Sequence, residues 1–415
     1  MKITLLSTYY KNGGAAIACK RLFEALCKAE GISAKLVVTG DEEREGVVSV
    51  SKSFLGKVKR WMAFIQETLT YMMVERSLKY RYAFSPAVAG VQLVNVSAVK
   101  ESEVLNLHWV NQGFISLKTL EKLRKSRKRI VITLHDMWLF TGGCHYTGEC
   151  RNFSQECGFC PYLKNPREND LSYQVWKKKK KLFSPSFFSV VTCSNWLKKE
   201  AEKSSLLQGI NIEVIPNPIN TDTFFPVEKT IAKRSLGLKE NIKYILFGTM
   251  NVNEERKGFV FLKEALENLK AKNYHLLIFG KASEEMFVNL PLSFTNFGKI
   301  TDESILVNLY SAADVFVLPS LEDNLPNTVM EALSCGTPCV AFETGGLGDL
   351  IENRKNGYLA RFKSSEDLAK GINWILESEI YQSLSEEARN KVVKNFSESV
   401  VSDKYLKLFQ NIIIQ

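Results

Sequence analysis

The chain has 415 residues, of which 45% are hydrophobic and 24% are charged, as is typical of a soluble globular protein with two or three domains. Its formal net charge of +10 is unevenly distributed. Residues 1–215 contain 33 Lys and Arg against 19 Asp and Glu, whereas residues 216–415 contain 22 against 26. The apolar content excludes an intrinsically disordered chain, and no apolar run reaches the roughly 18–20 residues of a membrane-spanning helix.

The first half predicts a parallel α/β domain. An apolar strand at 2–7 is followed by a glycine pair, a helix-periodic stretch at 15–28 and a second strand at 34–39. This βαβ opening is typical of a doubly wound sheet. Further strands are expected at 104–108, 130–134, 189–193 and 213–215.

The second half repeats this pattern after the break at Pro216, Asn217 and Pro218. Short apolar runs ending in turn residues predict strands at 244–248, 275–280, 294–297, 315–319 and 338–342. Helices are expected between and after them at 258–272, 302–312, 326–334 and 365–377. The fold class is therefore α/β, with two Rossmann-like doubly wound domains whose strand ends are expected to face a central cleft.

The predicted domains are an N-terminal, acceptor-side domain at 1–215, with a Cys-rich loop at 142–161, and a C-terminal domain at 216–396. A last helix at 397–415 is expected to pack back toward the first domain. The start of the chain lacks the long apolar core of a signal peptide, so we expect a cytoplasmic protein, where disulfides are rare.

Four of the nine cysteines are clustered, with the spacing Cys144-x5-Cys150-x6-Cys157-x2-Cys160. In a reducing compartment this spacing is compatible with a structural zinc ion, for which His145 is an alternative ligand. Free thiols and disulfides remain open alternatives. A zinc here would shape the acceptor side rather than take part in bond cleavage.

The most informative stretch is 319–338, where a strand ends and a carboxylate-bearing loop leads into a helix. Pro326 suits the first turn of that helix and Gly336 suits its end. Asp323 in the loop and Glu331 in the helix are eight positions apart. A helix start favours an anion such as a diphosphate, and a carboxylate close to it can accept both hydroxyls of a ribose.

These residues resemble the retaining GT-B glycosyltransferases of family 4, in the two carboxylates separated by seven residues and in the run Ala-Leu-Ser-Cys-Gly-Thr-Pro at 332–338. The resemblance covers nearly the whole chain. It implies that Glu331 binds the nucleotide ribose and that Asp323 contacts the donor sugar, although the family usually has Glu at this first position. The adjoining Asn324, Leu325, Asn327 and Thr328 are expected to bind the donor.

A second part of the resemblance lies at 247–258, where a strand ends at Gly248 and a Lys-Gly pair opens the next helix. In the family an Arg after the Gly and this Lys neutralise the donor diphosphate. Here Thr249 stands at the Arg position and Arg256 precedes Lys257. The resemblance therefore assigns the diphosphate to Lys257 and, less directly, to Arg256, because fixed cations stabilise the charge on a departing diphosphate.

Smaller matches complete the predicted site. Gly13 and Gly14 correspond to the family's glycine loop, and His135 to a histidine that contacts the donor sugar. Gly345 and Gly346 are expected to bring backbone close to the sugar or phosphates, whereas Asn217 belongs to an interdomain turn.

The resemblance implies retaining transfer of a sugar from a UDP or GDP donor, with no cofactor required for catalysis. The expected acceptor is a saccharide or a polyprenyl-pyrophosphate-linked saccharide, in cell-surface polysaccharide synthesis. A sugar-nucleotide epimerase on the same fold is the enzyme alternative. A nucleic-acid-binding protein is disfavoured, because the cysteine spacing does not match a zinc finger and RNA-binding motifs are absent.

Basic residues are concentrated on the predicted acceptor side. Residues 52–82 contain seven Lys and Arg against two acids, interleaved with aromatic and aliphatic residues. Residues 118–129 add seven basic residues, and an unbroken run of lysines lies at 177–181. Together they favour peripheral contact with an anionic membrane, at the inner face of the cytoplasmic membrane.

Overall fold

A computed structural model of the chain describes residues 1–183, 188–270 and 273–414. The chain divides into two compact units. The first comprises Met1–Pro216 and Ser402–Gln415, and the second comprises Asn217–Val401. The break after Pro216 lies one residue from the boundary expected from the Pro-Asn-Pro sequence.

The first unit is built on a parallel sheet, which within the described residues has seven strands in the order β3-β2-β1-β4-β5-β6-β7. The central strands are buried on both faces, which explains their nearly continuous apolar sequences. The strands are β1 (Lys2–Leu6), β2 (Ser33–Val38), β3 (Val47–Ser49), β4 (Val104–Leu107), β5 (Arg129–Leu134), β6 (Ser189–Thr192) and β7 (Ile212–Val214).

Helices connect these strands, and side-chain caps fix where several of them begin. Ser116 caps α4 by accepting the Thr119 N–H, and Asp170 caps α5 by accepting the Ser172 N–H. The helices of this part of the chain are α1 (Gly14–Cys27), α2 (Phe54–Met72), α3 (Ser97–Glu101), α4 (Leu117–Lys125), α5 (Leu171–Leu182) and α6 (Asn195–Glu202).

The second unit has a parallel sheet of six strands among the described residues, in the order β10-β9-β8-β11-β12-β13. Its strands are β8 (Tyr244–Asn251), β9 (His275–Lys281), β10 (Ser293–Asn296), β11 (Val315–Leu318), β12 (Cys339–Phe342) and β13 (Gly357–Ala360). Its helices are α7 (Lys229–Ser235), α8 (Phe259–Glu267), α9 (Glu303–Ala312), α10 (Asn327–Ser334), α11 (Leu347–Leu350), α12 (Ser365–Leu376) and α13 (Tyr381–Phe396).

The last helix, α14, spans Glu398–Ile414, and its residues from Ser402 onward belong to the first unit. There the hydroxyl of Tyr405 lies 3.0 Å from the hydroxyl of Thr133 on β5. Both side chains are buried, so this polar contact fixes the helix against the sheet of the first unit.

Both strand orders place the first strand of each unit inside its sheet, and all strand pairs are parallel. The prediction of two Rossmann-like doubly wound domains is thus confirmed. The expected helix at 258–272 is shorter, beginning at Phe259 and ending at Glu267, and residues 271–272 lie outside the described residues. Short 3-10 turns occupy Leu78–Tyr80, Trp138–Phe140, Asn152–Ser154, Glu255–Lys257 and Glu284–Phe287.

Candidate active site

The loop between β11 and α10 of the second unit holds a buried, paired carboxylate. Asp323 accepts a hydrogen bond of 2.6 Å from the Lys257 ammonium and one of 3.2 Å from the Ser320 hydroxyl. The Arg256 guanidinium lies 3.8 Å from the other carboxylate oxygen and also donates to the carbonyl of Glu322. The predicted site residues Arg256 and Lys257, which are adjacent in the chain, therefore meet Asp323, which lies 66 positions after Lys257.

These charges set the protonation state of Asp323. Burial on its own would raise the pKa of this carboxyl, but the charges of Lys257 and Arg256 outweigh burial and hold the pKa below its ordinary value. Asp323 is therefore ionised at neutral pH. Its carboxylate keeps the lysine ammonium in a fixed position.

Glycines allow the backbone around this ion pair to approach closely. Gly258, directly after Lys257, has a φ of 71°, and a Cβ there would lie 1.9 Å from the carbonyl oxygen of Pro319. Gly345 has a φ of 56°, and a Cβ there would lie 1.9 Å from the carbonyl oxygen of Asp323. The Gly346 N–H donates to this same oxygen at 3.0 Å. The predicted loop at 345–346 is thus packed directly against Asp323.

Glu331 lies in α10 and is buried. Its carboxylate accepts a hydrogen bond of 3.0 Å from the hydroxyl of Tyr310 on α9. Tyr310, which no sequence motif indicated, fixes one oxygen of the predicted ribose-binding carboxylate.

The other predicted donor-binding residues of this unit surround the same loop. Asn324 and Leu325 are buried in it, and Asn327 and Thr328 form the first turn of α10. The side-chain amide of Asn217 donates to the carbonyl of Leu325 at 3.4 Å. The strand predicted to end at Gly248 continues to Asn251, so Gly248 lies within β8, beside the ring of Phe279, which leaves no room for a Cβ. Its neighbour Thr249, at the family's Arg position, is buried.

In the first unit, the predicted glycine loop joins β1 to α1. Gly13 precedes the helix with a φ of 102°, and Gly14 is its first residue. A Cβ on Gly13 would meet no atom within 4 Å. The conformation rather than the space therefore favours glycine here.

His135 follows β5 and belongs to a chain of hydrogen-bonding side chains. Its Nε2 lies 2.9 Å from Nδ1 of His108, whose Nε2 lies 2.8 Å from the side-chain oxygen of Asn106. Its Nδ1 lies 3.7 Å from the sulfur of Cys193. Burial lowers the pKa of His135 to about 4, so the imidazole is neutral at pH 7.

A second polar chain in this unit was not predicted as part of the site. Asp136 accepts hydrogen bonds from Trp109 at 3.0 Å and from Nδ1 of His145 at 2.7 Å, and Nε2 of His145 lies 3.0 Å from the Ser85 hydroxyl. The polar residues of these chains lie at the ends of two adjacent strands, at 106–109 for β4 and at 135–136 for β5. Polar residues at the ends of two neighbouring parallel strands could have indicated this second polar chain from the sequence.

The four clustered cysteines line one small cavity with Phe84 and Phe153. Cys144 and Cys160 pack in an apolar cluster with Tyr71, Phe84 and Leu163. Burial raises the pKa of Cys157 to about 11 and that of Cys160 to about 12, which keeps both thiols protonated at neutral pH.

Across the described ranges, no group of three or more His, Cys, Asp or Glu side chains is arranged to hold a metal ion. Cys144 and Cys160 pack in this apolar cluster, Cys157 packs in the main core of the first unit, and Cys150 is only partly buried. His145 is instead bonded to Asp136 and Ser85. A structural zinc remains a prediction from the cysteine spacing.

This geometry can be compared with known proteins. Residues 228–395 match the family model of glycosyl transferases group 1. The matched range lies within the second unit and includes Lys257, Asp323 and Glu331.

Curated relatives are glycosyltransferases. The chain is 24% identical over 225 residues to a UDP-Gal:α-D-GlcNAc-diphosphoundecaprenol α-1,3-galactosyltransferase of Escherichia coli, covering 51% of this chain and 57% of that protein. It is 28% identical over 212 residues to an N,N'-diacetylbacillosaminyl-diphospho-undecaprenol α-1,3-N-acetylgalactosaminyltransferase of Campylobacter jejuni, covering 47% and 53%. The matches thus span little more than half the length of these relatives.

A solved structure shares the fold over nearly the entire chain. Sucrose-phosphate synthase from Thermosynechococcus elongatus is 18% identical, with a TM-score of 0.71 and 99% of both chains covered. The fold is GT-B, as predicted.

Among the residues described, no helix is both long and apolar enough to cross a bilayer.

Proposed function

We propose that the protein is a retaining glycosyltransferase that moves a sugar from a nucleotide-sugar donor to a saccharide acceptor. The observation that carries this proposal is the buried pairing of Lys257 with Asp323, beside Arg256 and at the loop that leads into α10. It lies inside the segment that matches the glycosyl transferases group 1. A cation held at a fixed place beside a helix start suits a donor diphosphate.

We propose UDP as the donor nucleotide, because the Escherichia coli relative is named for UDP-Gal. Glu331 would accept the ribose hydroxyls, with one of its oxygens held by Tyr310. Lys257 and Arg256 would contact the diphosphate, and Asp323 would contact the sugar. In the absence of donor, the ion pair with Asp323 holds the Lys257 ammonium where the diphosphate would arrive.

In the proposed reaction the bond between the anomeric carbon and the diphosphate oxygen breaks. The acceptor hydroxyl oxygen forms the new bond to the same face of that carbon, and its proton passes to the departing diphosphate. Lys257 and Arg256 stabilise the charge that develops on the leaving group. Catalysis then rests on positioning and fixed positive charge, so no nucleophilic side chain and no cofactor is needed.

For the acceptor we propose a saccharide linked to polyprenyl diphosphate, as used in polysaccharide synthesis. The two relatives from Escherichia coli and Campylobacter jejuni described above are named for diphospho-undecaprenol acceptors. Such an acceptor is anchored in a membrane, so the proposed place of action is the inner face of the cytoplasmic membrane.

Nucleotide binding tests the donor half of this proposal. We expect UDP to raise the melting temperature of the wild-type protein and to bind about tenfold or more weakly to Lys257→Ala, because the fixed cation is lost. Lys270→Ala is the matched control, since Lys270 pairs with Glu377 on the surface of the same unit. Equal UDP affinity in Lys257→Ala and Lys270→Ala would contradict the assignment.

GDP and short oligonucleotides complete this panel. The proposal predicts a larger shift of the melting temperature with UDP than with GDP, and no shift with oligonucleotides. A protein stabilised by oligonucleotides alone would be a nucleic-acid binder instead.

A further inference from the structure

Helix α2 is anchored to the first unit through one narrow face. Ala63, Glu67 and Tyr71, spaced four residues apart, are buried on that face. The Glu67 carboxylate accepts hydrogen bonds from the backbone N–H groups of Ala87 at 2.7 Å and Val88 at 2.9 Å. A buried carboxylate bonded to backbone in this way fixes the rotation of the helix about its own axis.

The opposite face of α2 is apolar and exposed. On a helix with 3.6 residues per turn, its outward side chains fall within roughly 120° of the circumference, opposite Glu67. Trp61 and Met62 are more than half exposed, at 64% and 60%. We name this surface the α2 apolar face, and its exposed members are Phe54, Leu55, Val58, Trp61, Met62, Leu69, Met72 and Met73.

This arrangement is the reverse of an ordinary surface helix, which buries its apolar stripe and exposes its polar side. Here a polar carboxylate is turned inward and the apolar stripe is turned outward. A contiguous exposed apolar surface of this kind marks a site of interaction.

Positive charge borders the α2 apolar face. Lys57 and Lys59 flank it on its two sides, and both are exposed. Lys57 pairs with the exposed Asp41 at 2.7 Å, a surface contact that contributes little to stability. The two acids of the segment at 52–82 are engaged elsewhere, Glu67 with backbone and Glu75 with Arg81.

We propose that the α2 apolar face docks on an anionic phospholipid bilayer. Its apolar side chains would enter the interface between headgroups and acyl chains, while Lys57 and Lys59 extend their ammonium groups toward lipid phosphates. Charge complementarity selects this occupant over a second copy of the chain, because two such faces pressed together would bring lysines against lysines. The inference deepens the proposed function and rests on it for the lipid-linked acceptor.

Vesicle co-sedimentation tests this docking without any transfer assay. The full chain is expected to bind vesicles of phosphatidylglycerol and phosphatidylethanolamine. Trp61→Glu combined with Met62→Glu should weaken binding by about tenfold or more, because two apolar side chains are replaced by anions. Lys57→Gln combined with Lys59→Gln should weaken binding by about tenfold on these vesicles and have little effect on phosphatidylcholine vesicles.

Ile231→Glu is the matched control, because Ile231 is 59% exposed on α7 of the second unit. It should bind vesicles as the wild type does, and melting temperatures should show that all variants fold. Absence of wild-type binding to the anionic vesicles, or equal binding by Trp61→Glu/Met62→Glu and Ile231→Glu, would overturn the proposal.

A dimer of the wild type in sedimentation velocity that is lost in Trp61→Glu/Met62→Glu would also overturn it, since the face would then join two copies. UDP affinity separates this inference from the proposed function. The docking variants should bind UDP with wild-type affinity. A variant that loses vesicle binding and still binds UDP would show that the donor site is intact.

Discussion

At the scale of single residues, the environment of each charged group decides which role it can take. Asp323 is ionised and already paired, so it is suited to position a cation and to accept a sugar hydroxyl rather than to donate a proton. His135 is neutral, and both of its ring nitrogens face partners. It is therefore suited to hydrogen bonding rather than to carrying charge.

The low pKa of His135 predicts a pH-dependent stability. In the unfolded chain its pKa is about 6.5, and in the folded protein it is about 4. Its contribution is present above about pH 6.5 and is lost as pH falls toward 4, because the unfolded state takes up the proton first. We expect the wild type to lose roughly 2–3 kcal/mol of unfolding free energy from this group across that window.

Denaturant unfolding of His135→Gln at pH 7 and near pH 4 measures this contribution. The variant should lose less stability on acidification than the wild type does. The same acid dependence in both proteins would show that His135 is not held neutral by burial.

At the scale of elements, the sequence predicted most strands of both sheets and missed β3 and β13, one edge strand of each sheet. β3 has no buried residue and β13 is buried only at its first and last residues, so neither has the continuous buried run of the central strands. The segment at 52–82 was recognised as amphipathic and basic. Which of its faces points outward could not be predicted, because that depends on contacts of Glu67 with residues 20 positions or more away.

In the candidate site, the sequence predicted the residues but not the contacts between them. The motifs predicted Asp323, Glu331 and Lys257 as site residues. The ion pair between Lys257 and Asp323 could not be predicted, because it joins residues separated by 66 positions. Such a contact depends on the order of the strands. The contact between His108 and His135 could have been predicted from the sequence, because each histidine follows one of two neighbouring parallel strands.

Gly345→Ala tests whether the loop at 345–346 supports the candidate site. A side chain there meets both an unfavourable φ and the carbonyl oxygen of Asp323, so we expect a loss of unfolding free energy of about 1–3 kcal/mol. Weaker UDP binding should accompany this loss. Gly348→Ala is the control, because a Cβ at Gly348 meets no atom within 4 Å.

Denaturant unfolding together with UDP titration reads out both effects. Unchanged stability and affinity in Gly345→Ala would mean that the loop can move away from Asp323 without consequence.

At the scale of the whole molecule, the charge is distributed unevenly between two units of similar fold. Lys and Arg outnumber Asp and Glu in residues 1–215, the half that includes the α2 apolar face. The second unit has no such excess and places a few cations at defined positions, Lys257 first among them. A basic first half and the proposed diphosphate site in the second unit would together suit an acceptor in a membrane and a donor in solution.

The most direct test of this account is a transfer assay with UDP-sugars and a polyprenyl-diphosphate-linked saccharide, with the linkage of the product determined by NMR. We predict a lengthened saccharide with the anomeric configuration of the donor. Turnover should fall about 100-fold or more in Lys257→Ala and Glu331→Ala, and it should persist in Lys270→Ala. An inverted product, an epimerised donor formed without acceptor, or near-normal turnover in both site variants would contradict the account.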